Sequence, residues 1–523
     1  MPLPSASSPM SRATLLRLTL LVVILLGSGA RALDLAGLPV WHDETFSLLR
    51  IFGHPFEALQ AALEAAEPIS AAELLRFQRP DPALGWAATL RALASHPEHA
   101  PLYYLLGRVA GGLASDPVVG LRGLAALFGV LLVPAVFWLT RELGGRGLTP
   151  WVAAALVAVS PVQLLYAQEA RQYALWLLLV VAASAALLHA CRHDRRGDWW
   201  GYGALLTLGL YTHLLFVLML PVHALVVLAR GERWRRWFIA VVTAGVLFLP
   251  WVAVMAFAPE RIDEFTAWMQ RPIDGARILA AWRDHLVHTF VDLGPTRLPG
   301  WAVGLLLMTL LWALWRFVVT APGAAVRLLL ATILVHLGIV LGPDLVLGGS
   351  RSLHLRYALP ALLALGLILA WSLGRALEAA GPTAHVAALA LLLLLALGLG
   401  SQHAILEAET WRTKQFSADN AAIAERINHQ TTSIEVLASP SGVSAGELLS
   451  LAHQLAPETR LRQLAEPATI TPAPERTYYL LTPSESLRAQ LAPTHRITPI
   501  APTWQWFVAT PTAGPTPDSG ASR

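Results

Sequence analysis

Apolar residues recur along the chain in long runs, at about 14–30, 119–140, 150–166, 172–190, 199–211, 213–229, 237–257, 301–316, 325–342, 356–374 and 384–400. Polar stretches close each run. Such runs read as membrane-crossing helices, although several fall short of the ~20 residues a span usually takes. Neighbouring polar residues must then enter the membrane zone. A further run, 101–114, reads as a juxtamembrane or re-entrant helix. The pattern predicts about 11 crossings, with about 11–13 as the range. After residue 400 the pattern changes. Helix-like periodicity appears at 415–429 and 443–456, and strand-like alternation at 433–438, 477–482 and 504–509. The fold class is therefore an all-α polytopic membrane bundle over 1–400, with a small C-terminal α/β domain over 401–510. Residues 511–523 read as a disordered tail.

Composition agrees with the pattern. Hydrophobic residues make up 55% of the 523 and charged residues 14%, against about 25% charged in a soluble domain. The formal net charge of +4 is spread thinly. No basic patch of the kind that binds nucleic acid is present. The single cysteine, Cys191, excludes an internal disulfide and a cysteine metal cluster. The first apolar run follows Arg12 and Arg17 and ends in small residues, as a cleavable leader would. In a multispanning chain it reads better as an uncleaved anchor.

Arginine bias orients the helices. The clusters at 12–17, 141–146, 192–196, 230–236, 316–327 and 375 belong on the cytoplasmic side. This orientation holds only if 101–114 is not a full span. The segments 31–98, 167–171, 211–213, 258–300, 343–355 and everything after 400 then face outward. The chain reads as a multi-pass membrane protein whose candidate site and C-terminal domain are extracytoplasmic. In the long loop, 55–67 and 70–78 read as short amphipathic helices. They suit either the membrane surface at the rim of a lipid entrance or plain packing against the bundle.

The unusual polar motifs all fall on that outward side. They are His-Asp-Glu at 42–44, His-Ala-Pro-Leu-Tyr-Tyr at 99–104, Tyr-Ala-Gln-Glu-Ala-Arg-Gln-Tyr at 166–173, Tyr-Thr-His at 211–213 and Arg-Ser-Leu-His-Leu-Arg-Tyr at 351–357. Ionisable groups near lipid are costly without a purpose. Asp43 and Glu44 are adjacent, so one conformation does not aim both at one atom. One faces a substrate while the other bonds locally, or both serve as a helix cap or surface pair. A carboxylate in a partly dry cavity holds protons more tightly and acts as a base toward an acceptor hydroxyl or amine. Glu169 offers a second carboxylate for a cation or for positioning. Arg171 offers a planar fork for phosphate, or simply a local pair with Glu169. Arg351 and Arg356, with Tyr357 beside them, add positive charge at a helix start. His213 fits either a site or a structural role, and His99 either substrate binding or a cap. Tyr103, Tyr166 and Tyr173 complete the candidate substrate-binding residues.

At these residues the chain resembles the bacterial membrane glycosyltransferases related to protein O-mannosyltransferases and the lipid A aminoarabinose transferase, of the GT-C type. The resemblance rests on HDE at 42–44, APLYYLLGR at 100–108, SPVQLLYAQEARQYAL at 160–175, YTHLLF at 211–216 and RYALPAL at 356–362, in that order. It implies an inverting transfer from a polyprenyl-phosphate-linked sugar donor to a glycan, lipid or protein acceptor among the membrane lipids. It implies Asp43 as the acidic residue that activates or orients the acceptor, with Glu44 its companion. Glu169 and Arg171 fall in the second outer motif, and Arg356 in the motif expected at the donor phosphate. A divalent cation, Mg2+ or Mn2+, is left open. Two departures stand out. Ala100-Pro101 replaces the paired prolines common in the family, and 260–300 and 401–523 match no family pattern.

A multispanning transporter is the main reading from another class. It usually carries repeated halves and midplane charges, whereas this chain has no repeat and its charged motifs sort to one face. A polysaccharide ligase or polymerase using a lipid carrier is a closer rival. A structural assembly protein leaves the sorted charges unexplained. The orientation is tested by placing single cysteines at Arg91 and Ser486 in a Cys191→Ser background. A membrane-impermeant thiol reagent should label both from the outer side of intact cells. Labelling from the cytoplasmic side alone overturns the topology.

Overall fold

The computed structural model describes residues 11–512 except 230, 232, 258–266, 295–297, 380, 431, 466–469, 501, 502 and 504. The sequence expectations at 513–523 and part of those at 258–300 and 504–509 lie outside the described residues, whereas Pro511, expected at the start of the tail, ends a strand. In chain order the helices are α1 (Arg12–Gly29), α2 (His42–Phe52), α3 (Phe56–Leu63), α4 (Ala71–Leu74), α5 (Trp86–Ala94), α6 (Leu102–Leu113) and α7 (Pro117–Glu142). They continue with α8 (Thr149–Val159), α9 (Pro161–Ala167), α10 (Tyr173–His193), α11 (Arg196–Leu210), α12 (Met219–Leu228), α13 (Trp234–Ala256) and α14 (Gly275–Phe290). The last are α15 (Gly300–Thr320), α16 (Gly323–Val346), α17 (Leu359–Leu377), α18 (Pro382–Leu406), α19 (Asn420–Asn428), α20 (Ser444–Ala452) and α21 (Glu485–Leu491). The strands are β1 (Ile69–Ser70), β2 (Ile434–Ala438), β3 (Arg460–Gln463), β4 (Thr477–Leu481), β5 (His495–Pro499) and β6 (Trp506–Pro511).

The chain divides into two compact units. One holds 1–35, 93–110 and 119–407; the other holds 36–92, 111–118 and 408–523. This differs from a division at residue 400, because the first outer loop groups with the C-terminal segment.

The first unit is the helix bundle of a multi-pass membrane protein. Among the described residues, eight helices are long and apolar enough to cross alone, and the bent pair α8–α9 makes a ninth. All eleven expected segments are helical. The count falls short because 199–211 and 213–229 fold as helices too short to pass alone. The windows of α10 and the Leu355–Leu377 span are each 83% buried, whereas those of α1 and α15 are 17% buried. The first two are therefore the core of the bundle. The outer helices expose rows of large apolar residues, such as Phe238, Val242, Val246 and Leu249 on α13. Exposed rows of this size belong against lipid rather than water.

Pro161 has no N–H, and Ser160 is extended, so the helix breaks by 60° between α8 and α9. The break leaves the last α8 carbonyls without partners in an apolar setting, where each must still be satisfied. Arg31 supplies the donors. Its guanidinium donates to Val157 O at 2.8 Å, Ala158 O at 3.1 Å and Gly27 O at 3.0 Å. Gln402 Nε2 donates to Ala158 O at 2.8 Å. Both donors stand four residues after a glycine that lets their helix close on α8. A Cβ on Gly27 would lie 2.7 Å from Ala158 O, and one on Gly398 would lie 2.6 Å from Val159 Cγ2.

The second unit is built on a six-stranded mixed sheet, in the order β1-β3-β2-β4-β6-β5. β2 runs parallel to β3 and β4, and the other pairings are antiparallel. The expected strands at 433–438 and 477–482 match β2 and β4, and β6 covers the C-terminal part of 504–509. β1, β3, β5 and α21 add to the expectation. The two amphipathic segments of the loop place Leu59, Leu63, Ala71, Leu74 and Phe77 in one core with Ile423, Val436, Leu448 and Tyr479. Their apolar faces therefore cover the sheet unit, which corrects the reading of a membrane rim for those positions. They came apart from 420–480 in sequence, so only the folded chain shows what they pack against.

Arg31→Met keeps the volume near that of arginine and removes every donor. Buried acceptors left unmade cost about 1–3 kcal/mol. The variant should unfold at a measurably lower temperature in detergent, and Gln402→Leu by less. An unchanged midpoint for Arg31→Met would deny it this role.

Candidate functional site

The α8–α9 break directs α9 into a tight turn at 168–172 before α10 begins. Arg171 N–H donates to Glu169 O at 2.6 Å within it. Gln168 Nε2 donates to Leu33 O at 2.7 Å and Ala30 O at 3.4 Å, which ties the turn to the end of the first span. Glu169 is fully buried and Arg171 is 4% exposed. Both therefore sit in a setting that water reaches poorly.

Around this turn the structure gathers residues from three parts of the sequence. Tyr166 and Tyr173 meet edge to face at 5.3 Å. The Arg171 guanidinium lies 5.8 Å from the Tyr173 ring centroid. His213 approaches Tyr173 at 5.9 Å and stacks on Trp176 at 4.2 Å and 11°. Arg356 lies over Tyr357 at 5.3 Å. The charges of Glu169 and Arg356 and the Tyr357 hydroxyl act on both Tyr166 and Tyr173, and those of Arg171 and Arg356 act on His213. Tyr166, Glu169, Arg171, Tyr173, His213, Arg356 and Tyr357 thus form one cluster. Two guanidinium groups, one carboxylate and aromatic walls suit an anionic group attached to an apolar or sugar moiety.

Other candidates fall outside it or have added duties. His213 Nδ1 accepts the Leu215 N–H at 3.1 Å, so this histidine is also a cap. Arg351 Nη1 forms an ion pair with buried Asp344 Oδ1 at 3.2 Å. That pairing uses the charge expected to meet a phosphate. His99 packs 5.7 Å from Tyr104 and lies 3.5 Å from Glu98 Oε1. Tyr103 donates its hydroxyl to Leu121 O at 3.3 Å, whereas Tyr104 donates to Gln172 Oε1 at 3.3 Å, beside the cluster turn. Sequence reasoning missed Tyr104, Gln172, Trp176 and His336, whose ring lies 6.4 Å from that of Trp176. Trp176 was signalled by its spacing, one turn beyond Tyr173. Among the described residues, no set of three ligating side chains suited to a cation includes Glu169.

Asp43 and Glu44 lie in the second unit, in the first turn of α2. Glu44 is fully buried, and its Oε2 accepts the Trp41 N–H at 2.9 Å, capping the start of α2. Asp43 is partly exposed. The chain entering α2 is gripped by the C-terminal segment. Trp411 Nε1 donates to Pro39 O at 2.8 Å, and Ser450 Oγ donates to Val40 O at 2.5 Å. Lys414 Nζ lies 3.8 Å from the Trp41 ring centroid. His42 N–H donates to Ser417 Oγ at 3.0 Å, and Ser417 Oγ donates to Glu447 Oε1 at 2.8 Å. His42 Nδ1 lies 3.4 Å from the same carboxylate oxygen. Burial, and then the Glu447 charge, raise the neighbouring Asp419 carboxyl above its usual range.

The bundle has the fold of the GT-C-type membrane glycosyltransferases, and the chain resembles them. A profile described as dolichyl-phosphate-mannose-protein mannosyltransferase matches residues 96–257. In three dimensions the chain is similar to the crystal structure of ArnT from Cupriavidus metallidurans bound to undecaprenyl phosphate, with a TM-score of 0.54 and 15% identity. That match covers 97% of this chain and 100% of that one. The apo form of the same protein matches with a TM-score of 0.53 and 17% identity, over 95% of this chain and 98% of that one. At these identities the likeness is one of fold. No curated protein matches the chain in sequence.

The grip on α2 makes a test. Gly446 faces His42 so closely that an added Cβ would lie 2.4 Å from Nδ1. Overpacking of this kind costs about 1–3 kcal/mol, and each 1.4 kcal/mol is a factor of ten in an opening equilibrium. Gly446→Val should raise hydrogen exchange at amides 41–45 about tenfold or more, while the helix bundle keeps its exchange pattern. Unchanged exchange at 41–45 would show that the contact carries no constraint.

Proposed function

We propose that the chain is an inverting glycosyltransferase of a bacterial inner membrane. It moves a sugar from a polyprenyl-phosphate donor to a hydroxyl or amine of a glycan, lipid or protein acceptor on the outer face. The observation that carries this reading is the cluster of buried Arg171 and Glu169 with half-buried Arg356, walled by Tyr166, Tyr173 and Tyr357. Two guanidinium groups suit the phosphate of a donor carried on a lipid. The fold likeness to a protein whose structure holds undecaprenyl phosphate supports it.

In this reaction the bond between the anomeric carbon and the phosphate oxygen breaks. The leaving phosphate keeps the electron pair, and Arg171 and Arg356 stabilise its charge. The acceptor oxygen or nitrogen forms the new bond from the opposite side, which inverts the anomeric centre. Asp43 takes the acceptor proton. Glu44 keeps the first turn of α2 in shape. Glu169 sets the place of the two arginines by charge. The polyprenyl tail lies among the membrane helices.

The test separates the two halves of the reaction. Hydrogen bonds to charged groups are worth about 1.5–3 kcal/mol, so Arg171→Ala or Arg356→Ala should weaken undecaprenyl phosphate binding about 10- to 150-fold. Asp43→Asn should leave that binding nearly unchanged and slow transfer about 10²–10⁴-fold. A well-folded Asp43→Asn protein that transfers at the parental rate removes Asp43 from the mechanism. Arginine variants that bind the lipid phosphate normally remove the cluster from the donor site.

A further inference from the structure

A second group of ligating side chains stands at the far end of α10. From Tyr173 at its start, His189 and His193 lie 16 and 20 residues on, about 24 and 30 Å away at 1.5 Å per residue. His189 and His193 are one turn apart, so both imidazoles leave the same helix face. Their ring centroids are 4.1 Å apart. Asp198 comes from the first turn of α11, and its Oδ1 lies 3.9 Å from His189 Nε2. One ligand atom from each of the three lies within 4.8 Å of the others. We infer that the joined ends of α7, α10 and α11 bind a divalent transition-metal ion, Zn2+ by ligand type.

The surroundings prepare these groups as ligands. His189 Nδ1–H donates to Glu142 Oε1 at 3.0 Å, and His193 Nδ1 bonds the His189 carbonyl at 3.1 Å. Both Nδ1 atoms are thereby used, which leaves the two Nε2 lone pairs for a metal. A carboxylate behind a ligating histidine is the usual arrangement that fixes its tautomer and raises its basicity. Glu142 is itself held by Arg192, Nη1 to Oε2 at 3.1 Å, and by Trp138 Nε1 at 3.3 Å. The nearby Arg233 and Arg236 are committed to Asp194, at 3.3 and 2.7 Å. Arg195 and Arg196 are exposed.

Asp198 supplies the independent sign of a ligand. Its Oδ2 is buried and has no hydrogen-bond partner among the described residues. An acid in the first turn of a helix explains a carboxylate at 198. It does not explain a buried oxygen with no donor. Metal–ligand bonds of about 2.0–2.2 Å put the atoms around one ion about 3–4 Å apart, so small side-chain rotations close the site. Two imidazoles and one carboxylate suit zinc and its neighbours rather than magnesium. Water takes a fourth position.

Purified full-length protein, stripped with a chelator, is titrated with Zn2+ alone against a chromophoric competitor. The parental chain should bind one ion more per molecule than His193→Ala, whose side chain is exposed and whose loss leaves the fold intact. Glu142→Gln should keep the stoichiometry and weaken this ion about 10- to 100-fold. Co2+ should give a visible spectrum of nitrogen and oxygen ligation in the parental chain that His193→Ala and Asp198→Asn both lose. Equal stoichiometry, affinity and spectrum in the parental chain and in His193→Ala overturn the proposal, as does an absence of zinc uptake by the parental chain.

Discussion

Carbonyl groups freed at a helix break inside an apolar bundle must find donors, and the rest of the first unit follows from how this chain supplies them. Pro161 opens α8, and Arg31 and Gln402 close it again from two other helices. An arginine at that depth is costly unless its donors are used, and here three backbone oxygens take them. The donors reach only because Gly27 and Gly398 let α1 and α18 approach α8 one turn earlier. Gly129 on α7 adds a third close approach, since a Cβ there would meet Ala167 Cβ at 2.5 Å and Arg31 Cδ at 3.1 Å. The break therefore fixes where four helices meet, and the turn carrying Glu169 and Arg171 begins one short helix, α9, after it.

This placement puts the candidate site beside closely packed helices. The turn at 168–172 is held at Gln168 by carbonyls from the end of the first span. It is held at Gln172 by Tyr104. Side chains between those anchors keep their geometry without help from a ligand. Preorganised charge in a dry setting is worth more than the same charge in water. That is what departure of a phosphate from an anomeric carbon needs under the proposed reaction.

Much of the bundle was legible because a lipid-spanning helix announces itself by length and apolarity alone. Each of the eleven runs is helical, although 150–166 is broken into α8 and α9. The motifs at 166–173, 211–213 and 356–357 were legible as polar residues where polarity is costly, and they meet in the cluster. Other features depend on partners distant in sequence. Arg351 and Arg356 look alike in the sequence, yet Asp344 takes the first. Tyr103 and Tyr104 are neighbours on one helix, and only the position of α10 decides which reaches Gln172. β1 is two residues long and pairs with β3, Ile69 opposite Leu461. No local pattern shows that the loop at 36–92 completes a sheet unit with the C-terminal segment. Gly446 did carry a signal. A glycine inside a helix costs about 1 kcal/mol relative to alanine and usually marks a close contact, here with His42.

The same sheet unit bears on the proposed base. A carboxylate that must accept a proton can be tuned by burial or simply held charged and well aimed. Asp43 stands in the first turn of α2, at the positive end of the helix dipole, where a negative charge gains about 0.3–1 kcal/mol. Glu44 at the next position is consumed by the cap, which fixes the start of the helix rather than sharing a proton. The grip on residues 39–42 by Trp411, Lys414, Ser417, Glu447 and Ser450 then sets the direction in which α2 starts. Under the proposed reaction the C-terminal segment therefore acts on Asp43 through the backbone at 39–42, where its side chains bind Pro39 O, Val40 O and His42 N–H.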